Sequence, residues 1–117
     1  KNIREEVRFE DLRWLNVVNP TEKDTQYLGR KFKFHHLDLE DCLSVNQRPK
    51  IDEYDDYLFI TLHVPAVRPR SKRIYNQEVH FFVLDGHFIT VHEGHKTIKK
   101  IFQDCKKKKS IYKQSSS

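Results

Sequence analysis

Residues 57–64 read Tyr-Leu-Phe-Ile-Thr-Leu-His-Val and contain the clearest strand pattern of the chain. The even-numbered positions carry Leu, Ile, Leu and Val, and side chains two apart share one face of a strand. The odd-numbered positions carry Tyr, Phe, Thr and His on the opposite face. Because both faces carry large side chains, we expect other elements to cover both at least in part.

The segments around this strand predict a mixture of strands and helices. Asp85-Gly86 is a strong two-residue hairpin signal that joins a strand at 78–84 to one at 87–92. The basic stretch 65–76, which contains proline, is predicted to be a connection. The other predicted elements are a strand at 12–18 after a weaker extended stretch at 7–9, helices at 22–32 and about 37–44, and a weak helix at about 95–105. This order favours an α/β or α+β fold in which helices cover a mixed or antiparallel sheet.

Size and composition describe one domain with a core of its own. The chain has 117 residues, of which 37% are hydrophobic, enough for a single domain. No window approaches the ~20 consecutive apolar residues of a membrane-spanning helix. Cys42 and Cys105 are the only cysteines. Two isolated thiols in a chain of this polarity indicate a reduced, cytosolic protein without a disulfide framework.

The positive charge is concentrated at one end of the sequence. The formal net charge is +5, but residues 96–117 alone contribute +7, while residues 38–56 carry seven acids against two bases. A basic tail and an acidic patch are more informative than the average charge. Since the basic residues lie in a tail and a connection, away from the aromatic strand residues, the pattern argues against a nucleic-acid stacking surface.

One long segment carries a family resemblance. Residues 34–43 read Phe-His-His-Leu-Asp-Leu-Glu-Asp-Cys-Leu, residues 47–51 read Gln-Arg-Pro-Lys-Ile, and residues 54–60 read Tyr-Asp-Asp-Tyr-Leu-Phe-Ile. This succession resembles the cytoplasmic domain of CorA-type magnesium and divalent-cation transporters, with its Leu-x-Leu-Glu-Asp helix, Gln-Arg-Pro-Lys turn and apolar strand. The resemblance extends over about 12–102, and it departs at His36, where the family usually has proline.

The resemblance implies an architecture and a set of partners. It implies an α/β sandwich, a mixed sheet flanked by helices on both sides, in residues 1–105, followed by a basic, Ser-rich tail at 106–117 that leads towards a stalk helix. Full-length members are homopentamers, so the implied partners are further copies and the stalk and transmembrane helices. The family's Gly-Met-Asn pore signature has no counterpart, because the chain contains no Met. The implied location is the cytoplasmic face of the inner membrane, without direct membrane contact by this segment and without nucleic acid.

The acidic helix is the candidate site. By resemblance, Asp41, with Glu40 beside it, matches the position where a regulatory Mg²⁺ binds between neighbouring subunits. The implied function is a soluble, cation-sensing domain that gates a Mg²⁺/Co²⁺ pore outside the chain. Mg²⁺ is typically held by one or two carboxylates and several waters. The alternative is a solvated helix, since the helix dipole favours acids in a first turn by ~0.3–1 kcal/mol each whatever their function.

Other functions and clusters remain open at this stage. A zinc transporter of the ZntB type would carry the same domain, and a basic nucleic-acid-binding domain is the candidate from a different class. No enzyme motif is present: the chain has no Gly-rich phosphate loop and no nucleophile with a placed base. His92-Glu93-Gly94-His95 lacks the zincin spacing, and His63 and His80 are expected to be packed or hydrogen-bonded. The acidic run 52–56 is interpreted as a solvated loop, and Lys106–Lys109 as a solvated helix end.

Overall fold

The computed structural model describes residues 1–45 and 47–115, with side chains described as far as Lys108. Its elements are β1 (Ile3–Phe9), β2 (Leu12–Val18), α1 (Glu22–Phe32), α2 (His36–Leu43), β3 (Lys50–Glu53), β4 (Tyr57–Val67), β5 (Ile74–Leu84), β6 (His87–His92) and α3 (Lys96–Ser115). The strands form one six-stranded sheet in the order β1-β2-β6-β5-β4-β3. All neighbouring strands are antiparallel except β2 and β6, which run parallel. The predicted mixed sheet is confirmed.

Helices lie on both faces of the sheet, as predicted. One core lies under α1 and α2, where Leu28 of α1 packs with Phe59, Phe82 and Ile89 of the sheet, all at most 1% exposed. A smaller core lies under α3 on the opposite face, where the ring of Phe102 meets Trp14 edge-on at 5.0 Å. The alternation along β2 explains the arrangement, because neighbouring side chains point to opposite faces and so enter different cores.

The α3 helix covers only part of its face of the sheet. It packs over β1, β2 and β6, where its cluster includes Val7, Trp14 and Phe88. The remaining half, which we call the open face, consists of side chains of β4 and β5 that point to the same side as Trp14. These are Leu58, Ile60, Leu62, Val64, Phe81 and Val83, which are half-buried or exposed. Leu62 is 42% exposed. The fold thus leaves these six apolar side chains half-buried or exposed, next to Val79 of the same face, which is fully buried.

Two interpretations of the central part of the sequence are wrong. The connection predicted at 65–76 is mostly strand, because β4 and β5 continue to Val67 and from Ile74 around a six-residue tip. Pro65 is tolerated there since β3 ends opposite Thr61, which leaves β4 with β5 as its only neighbour. The acidic run was interpreted as a loop, but its first two residues belong to the edge strand β3.

The C-terminal helix is longer than the sequence predicted. The weak helix predicted to end near Cys105 continues to Ser115, so that Lys106–Lys109 lie within α3. Lysine has a good intrinsic helix propensity, and the run extends a helix that Phe102 already anchors. The division of the chain at residue 105 stays a prediction, and residues 116–117 lie outside the described part. None of the described helices combines the length and apolarity needed to cross a bilayer.

Candidate metal site on the acidic helix

The acidic helix α2 begins at a histidine cap. The His35 Nδ1 atom accepts a hydrogen bond from the backbone N–H of Leu37 at 3.1 Å, which satisfies one of the free N–H groups of the first turn. The Leu-x-Leu pattern turns Leu39 towards the main core, while Leu37 is 54% exposed. This register decides where each of the three acids of the helix points.

Asp38 points into the protein and has a structural role. Its carboxylate accepts hydrogen bonds from the Tyr57 hydroxyl at 2.8 Å and from the Tyr54 hydroxyl at 3.2 Å. The Tyr57 hydroxyl also accepts a hydrogen bond from the backbone N–H of His35 at 2.9 Å. Burial raises the pKa of Asp38, and the two tyrosine hydrogen bonds oppose that shift. These contacts fix α2 to the turn before β4.

Asp41 already has a cationic partner within the chain. The Lys50 ammonium at the start of β3 lies 2.8 Å from Asp41 Oδ2 and 3.3 Å from Asp52 Oδ2. The Asp41 side chain is 19% exposed, and that of Lys50 is 37% exposed. The hydrogen bond to Asp41 raises the pKa of Lys50, Asp52 raises it further, and burial opposes both. A metal ion at Asp41 therefore has to compete with an ammonium group for the same oxygen.

Glu40 is exposed and points elsewhere. Neighbouring residues on a helix are turned by about 100°, so Glu40 and Asp41 do not converge on one point of this chain. Among the side chains that the structure describes, which end at Lys108, no three of His, Cys, Asp or Glu are grouped so as to hold a metal ion. The residues present fit a complete Mg²⁺ site only if oxygen ligands come from outside the chain. The metal roles of Asp41 and Glu40 stay predictions.

Several histidines make hydrogen bonds within the chain. His92 Nδ1 accepts from the backbone N–H of His95 at 2.9 Å, so the proton lies on Nε2, which donates to Asn16 Oδ1 at 2.8 Å. Both ring nitrogens are occupied, which excludes this ring as a zinc ligand in this arrangement. His80 Nδ1 hydrogen-bonds with the Thr61 hydroxyl at 3.0 Å, and His63 Nε2 lies 2.7 Å from the Gln47 carbonyl oxygen. The expectation for His63 and His80 is confirmed.

A cleft between the end of α2 and β5 offers little free chemistry. Its polar lining includes Glu78, His80 and His92. Glu78 Oε1 accepts from the backbone N–H of Gln47 at 2.6 Å, and the two histidines have the partners just described. The thiol of Cys42, also in the wall, is buried, and burial raises its pKa, so it stays protonated. The cleft therefore does not add a reactive group to the candidate site.

Comparison with known sequences places this geometry in a family. The family described as "CorA-like Mg2+ transporter protein" matches residues 9–117. The chain belongs to the CorA-like Mg²⁺ transporter family. The Thermotoga maritima cobalt/magnesium transport protein CorA is 42% identical over 50 residues, which cover 42% of this chain and 14% of the relative. YfjQ of Bacillus subtilis, a provisionally named metal ion transporter, is 34% identical over 79 residues, 68% of this chain and 24% of the relative.

Solved structures share the fold of this CorA-like chain. The complete CorA magnesium transporter of Methanocaldococcus jannaschii superposes with a TM-score of 0.69 at 20% identity, over 91% of this chain and 33% of that protein. The ZntB cytoplasmic domain of Vibrio parahaemolyticus gives a TM-score of 0.65 at 12% identity, over 86% of this chain and 41% of that domain. The matched region covers about a quarter of YfjQ and a smaller share of the Thermotoga maritima protein. The chain therefore corresponds to one part of these longer relatives.

Proposed function

We propose that this CorA-like chain is the cation-sensing regulatory domain of a Mg²⁺/Co²⁺ transporter and gates a pore formed by the rest of a homopentamer at the cytoplasmic face of the membrane. The observation that carries the proposal is the position of Asp41 on α2, half-buried and paired with the more exposed Lys50. The family match over residues 9–117 supports the transporter context, and the apolar open face supports further covering elements in the intact protein.

The Asp41–Lys50 pair supplies a competition on which a cation sensor can operate. Because half-exposed ion pairs contribute little net stability, typically ~0–1 kcal/mol, a divalent cation can displace the ammonium from Asp41 at modest cost. The divalent cation bound at Asp41 then needs waters and a further carboxylate from a neighbouring copy, because Mg²⁺ requires several oxygen ligands. Mg²⁺ then favours the assembly state in which two copies approach, and it shifts the population only by its differential affinity for that state.

The experiment is a Mg²⁺ titration of pore closure in the full-length protein, measured as cation flux in vesicles. Asp41→Ala is expected to raise the Mg²⁺ concentration needed for half-closure, because it removes the carboxylate. Lys50→Gln is expected to lower that concentration, because it removes the competing cation while keeping a side chain of similar length. Glu22→Gln, which changes an exposed acid in the first turn of α1, is the matched control and should leave the midpoint unchanged.

Two results would contradict the proposal. Closure by Mg²⁺ that is unchanged in Asp41→Ala would show that this carboxylate does not take part. A Lys50→Gln midpoint that moves upwards together with that of Asp41→Ala would show that the pair acts as a structural contact and not as a competitor.

Zinc transport is the second candidate, favoured by the likeness to the ZntB cytoplasmic domain. The two candidates share this domain and differ in the ion that passes the pore. Flux measurements on the intact protein with Mg²⁺, Co²⁺ and Zn²⁺ separate them, and a preference for Zn²⁺ over both other ions would favour the second.

A further inference from the structure

The β4–β5 hairpin ends in a strongly basic turn. Residues 68–73 contain four cationic side chains, those of Arg68, Arg70, Lys72 and Arg73, and no acid; we call this turn the basic tip. Two backbone hydrogen bonds close it, from Arg68 N–H to the Arg73 carbonyl at 2.9 Å and from Lys72 N–H to the Arg68 carbonyl at 3.0 Å. The Arg68 guanidinium lies over the Tyr75 ring at 4.3 Å. The charges are therefore presented by a defined turn.

The basic tip lies at the end of a two-stranded extension of the sheet, which we call the arm and which consists of the outer parts of β4 and β5. Beyond Thr61 the β4 strand has no pairing with β3, and before His80 the β5 strand has no pairing with β6. The base of the arm is held by His95, whose Nε2 lies 2.9 Å from the Pro65 carbonyl oxygen. At its end, Val67 and Ile74 are 52% and 74% exposed. The side chains of Arg70, Lys72 and Arg73 make no ion pair with any residue of the described part.

The opposite end of the same hairpin is acidic. Residues 52–56 contain four carboxylates, those of Asp52, Glu53, Asp55 and Asp56; we call this turn the acidic turn. It is closed by a hydrogen bond from Tyr54 N–H to the Tyr57 carbonyl at 2.9 Å. Asp52 is paired with Lys50, whereas the other three acids are exposed and lack an ion pair in the part of the chain that the structure describes.

The two charged turns cannot neutralise each other within one molecule. The 11 residues of β4 separate them, which at about 3.3 Å per residue is a distance on the order of 36 Å. This distance is several times the Debye length, which is about 8 Å at physiological salt. Each turn therefore presents its charge to whatever molecule approaches.

We propose that the basic tip of one copy docks against the acidic turn of a second copy. The complement that the basic tip requires is present on the same chain, in the three acids of the acidic turn that have no ion pair among the described residues, and one molecule cannot bring the two surfaces together. Exposed β-branched side chains accompany the charges at both ends, Val67 and Ile74 at the basic tip and Ile51, 66% exposed, at the acidic turn. These side chains give the contact an apolar component that bare electrostatics lacks.

The geometry of such a contact determines the kind of assembly. It joins two different patches, so it is heterologous, and contacts of this type form rings when the rotation closes. The inference goes beyond the proposed cation sensing, because it involves neither Asp41 nor a metal ion and can be tested without transport. Exposed ion pairs are individually weak, so we expect an association between isolated chains that is rapid, reversible and sensitive to salt.

The test is sedimentation velocity of the 117-residue chain over a range of protein concentrations, at about 20 mM and about 500 mM salt, which bracket weak and strong screening. We expect the mean sedimentation coefficient to rise with concentration at low salt and to rise much less at high salt, where only contacts between uncharged surfaces remain. The tip variant Arg70→Glu with Lys72→Glu should lose the association, and so should the turn variant Asp55→Lys with Asp56→Lys.

Charge exchange makes the test specific. An equimolar mixture of the tip variant and the turn variant should associate again, because each reversed surface then meets an opposite one. Lys107→Glu with Lys108→Glu changes the net charge by the same amount as the tip variant on an exposed stretch of α3, and it should associate as the unmodified chain does. Circular dichroism and Tm confirm that each variant is folded before it is compared.

Several outcomes would overturn the proposal. These are a chain that stays monomeric at low salt, an equal loss of association in the α3 control, or a mixture of the tip and turn variants that fails to associate. Co-sedimentation with vesicles of phosphatidylserine and phosphatidylcholine tests the other anionic surface. If only the tip variant loses vesicle binding while its self-association is unchanged, the basic tip is a lipid contact instead. Unchanged Mg²⁺ regulation in the tip variant would leave the cation-sensor proposal intact, so that the two can fail separately.

Discussion

Asp38 and Asp41 lie three residues apart on α2, and their surroundings give them different chemistry. Asp38 is 2% exposed and is held by two tyrosine hydroxyls, whereas Asp41 meets a lysine near the surface. Glu40, between them, is exposed. The three acids of α2 thus differ in their surroundings: Asp38 is buried and structural, Asp41 is paired with Lys50, and Glu40 is exposed. Of the three, Glu40 and Asp41 are the candidates for binding a cation.

His92 makes the stability of the fold depend on pH. Burial, with smaller contributions from His95 and Lys99, lowers the pKa of His92 to about 4. The folded state therefore favours the neutral form of the His92 ring. The contribution of this ring to the free energy of unfolding is complete above about pH 6.5 and is lost as the pH falls towards 4. We expect His92→Gln to be less stable than the unmodified chain at pH 7 but to lose about 3 kcal/mol less between pH 7 and pH 4. Urea unfolding at several pH values measures this difference.

An exposed histidine is the control for that experiment. His63 lies at the surface, and His63→Gln is measured in parallel, so that the effect of replacing a histidine as such is accounted for. Parallel pH profiles for the unmodified chain and for His92→Gln would contradict the assignment. The pKa of His80 is also lowered by burial, so a smaller loss of stability in the same direction is expected to remain in His92→Gln.

The residue-level site could be predicted from the sequence only in part. The Leu-Glu-Asp motif located Asp41 and Glu40 on a short helix, which the structure confirms. Its contact with Lys50 was missed, because the two residues lie nine apart across an irregular turn and no periodic pattern joins them. The burial of Asp38 was also missed, since it depends on Tyr54 and Tyr57 folding back over α2. Two tyrosines three residues apart after an acidic helix are a signal that could have indicated this contact.

Helix α3 provides a comparison of two neighbouring side chains at the level of an element. Phe102 is 1% exposed against Trp14, while Ile101 is 49% exposed. We expect Phe102→Ala to lower the free energy of unfolding by about 3–5 kcal/mol, because it leaves a cavity in the smaller core. Ile101→Ala should cost no more than about 1 kcal/mol. Chemical denaturation monitored by Trp14 fluorescence measures both, and equal costs would contradict the packing of α3 on β1 and β2.

The elements with local signals were predicted to the residue, and those without were not. The bounds of β2, α1 and β6 agree with the prediction, because Asn19-Pro20, the Thr21 cap and Asp85-Gly86 mark their ends. Strand β3 has a single large apolar residue, Ile51, so its pattern is too short to stand out. The outer part of β4–β5 contains Pro65 and several basic residues, which are typical of a loop. These strands form because they pair with each other, and pairing between strands is invisible to a local pattern.

The open face should make the isolated chain prone to self-adhesion. Leu62 lies directly opposite Val79 on this face, yet Leu62 is 42% exposed and Val79 is fully buried. We expect Leu62→Lys to reduce light scattering of concentrated protein in high salt, where contacts between charged turns are screened, and to change the stability by less than about 1 kcal/mol.

The partner residue on β5 provides the contrast. Val79→Lys would bury a charge without a partner, and we expect it to destabilise the chain severely. If Leu62→Lys proves as destabilising as Val79→Lys, or if scattering is unchanged, the open face is not the adhesive surface.

At the scale of the whole molecule, the family resemblance predicted the layers of the fold correctly. A resemblance sums many positions along the chain, each of which carries little information about the layers by itself.

The parallel contact between β2 and β6 has a consequence for how the chain acquires its structure during synthesis. Among the described strands, the N-terminal β1–β2 hairpin pairs with the rest of the sheet through residues 87–92. Trp14 pairs in register with Phe88, 74 residues later, and closing so long a loop slows folding. While the ribosome is still making the middle of the protein, the first hairpin has no lateral neighbour, and its hydrophobic surface is open to chaperones until almost the whole domain has emerged.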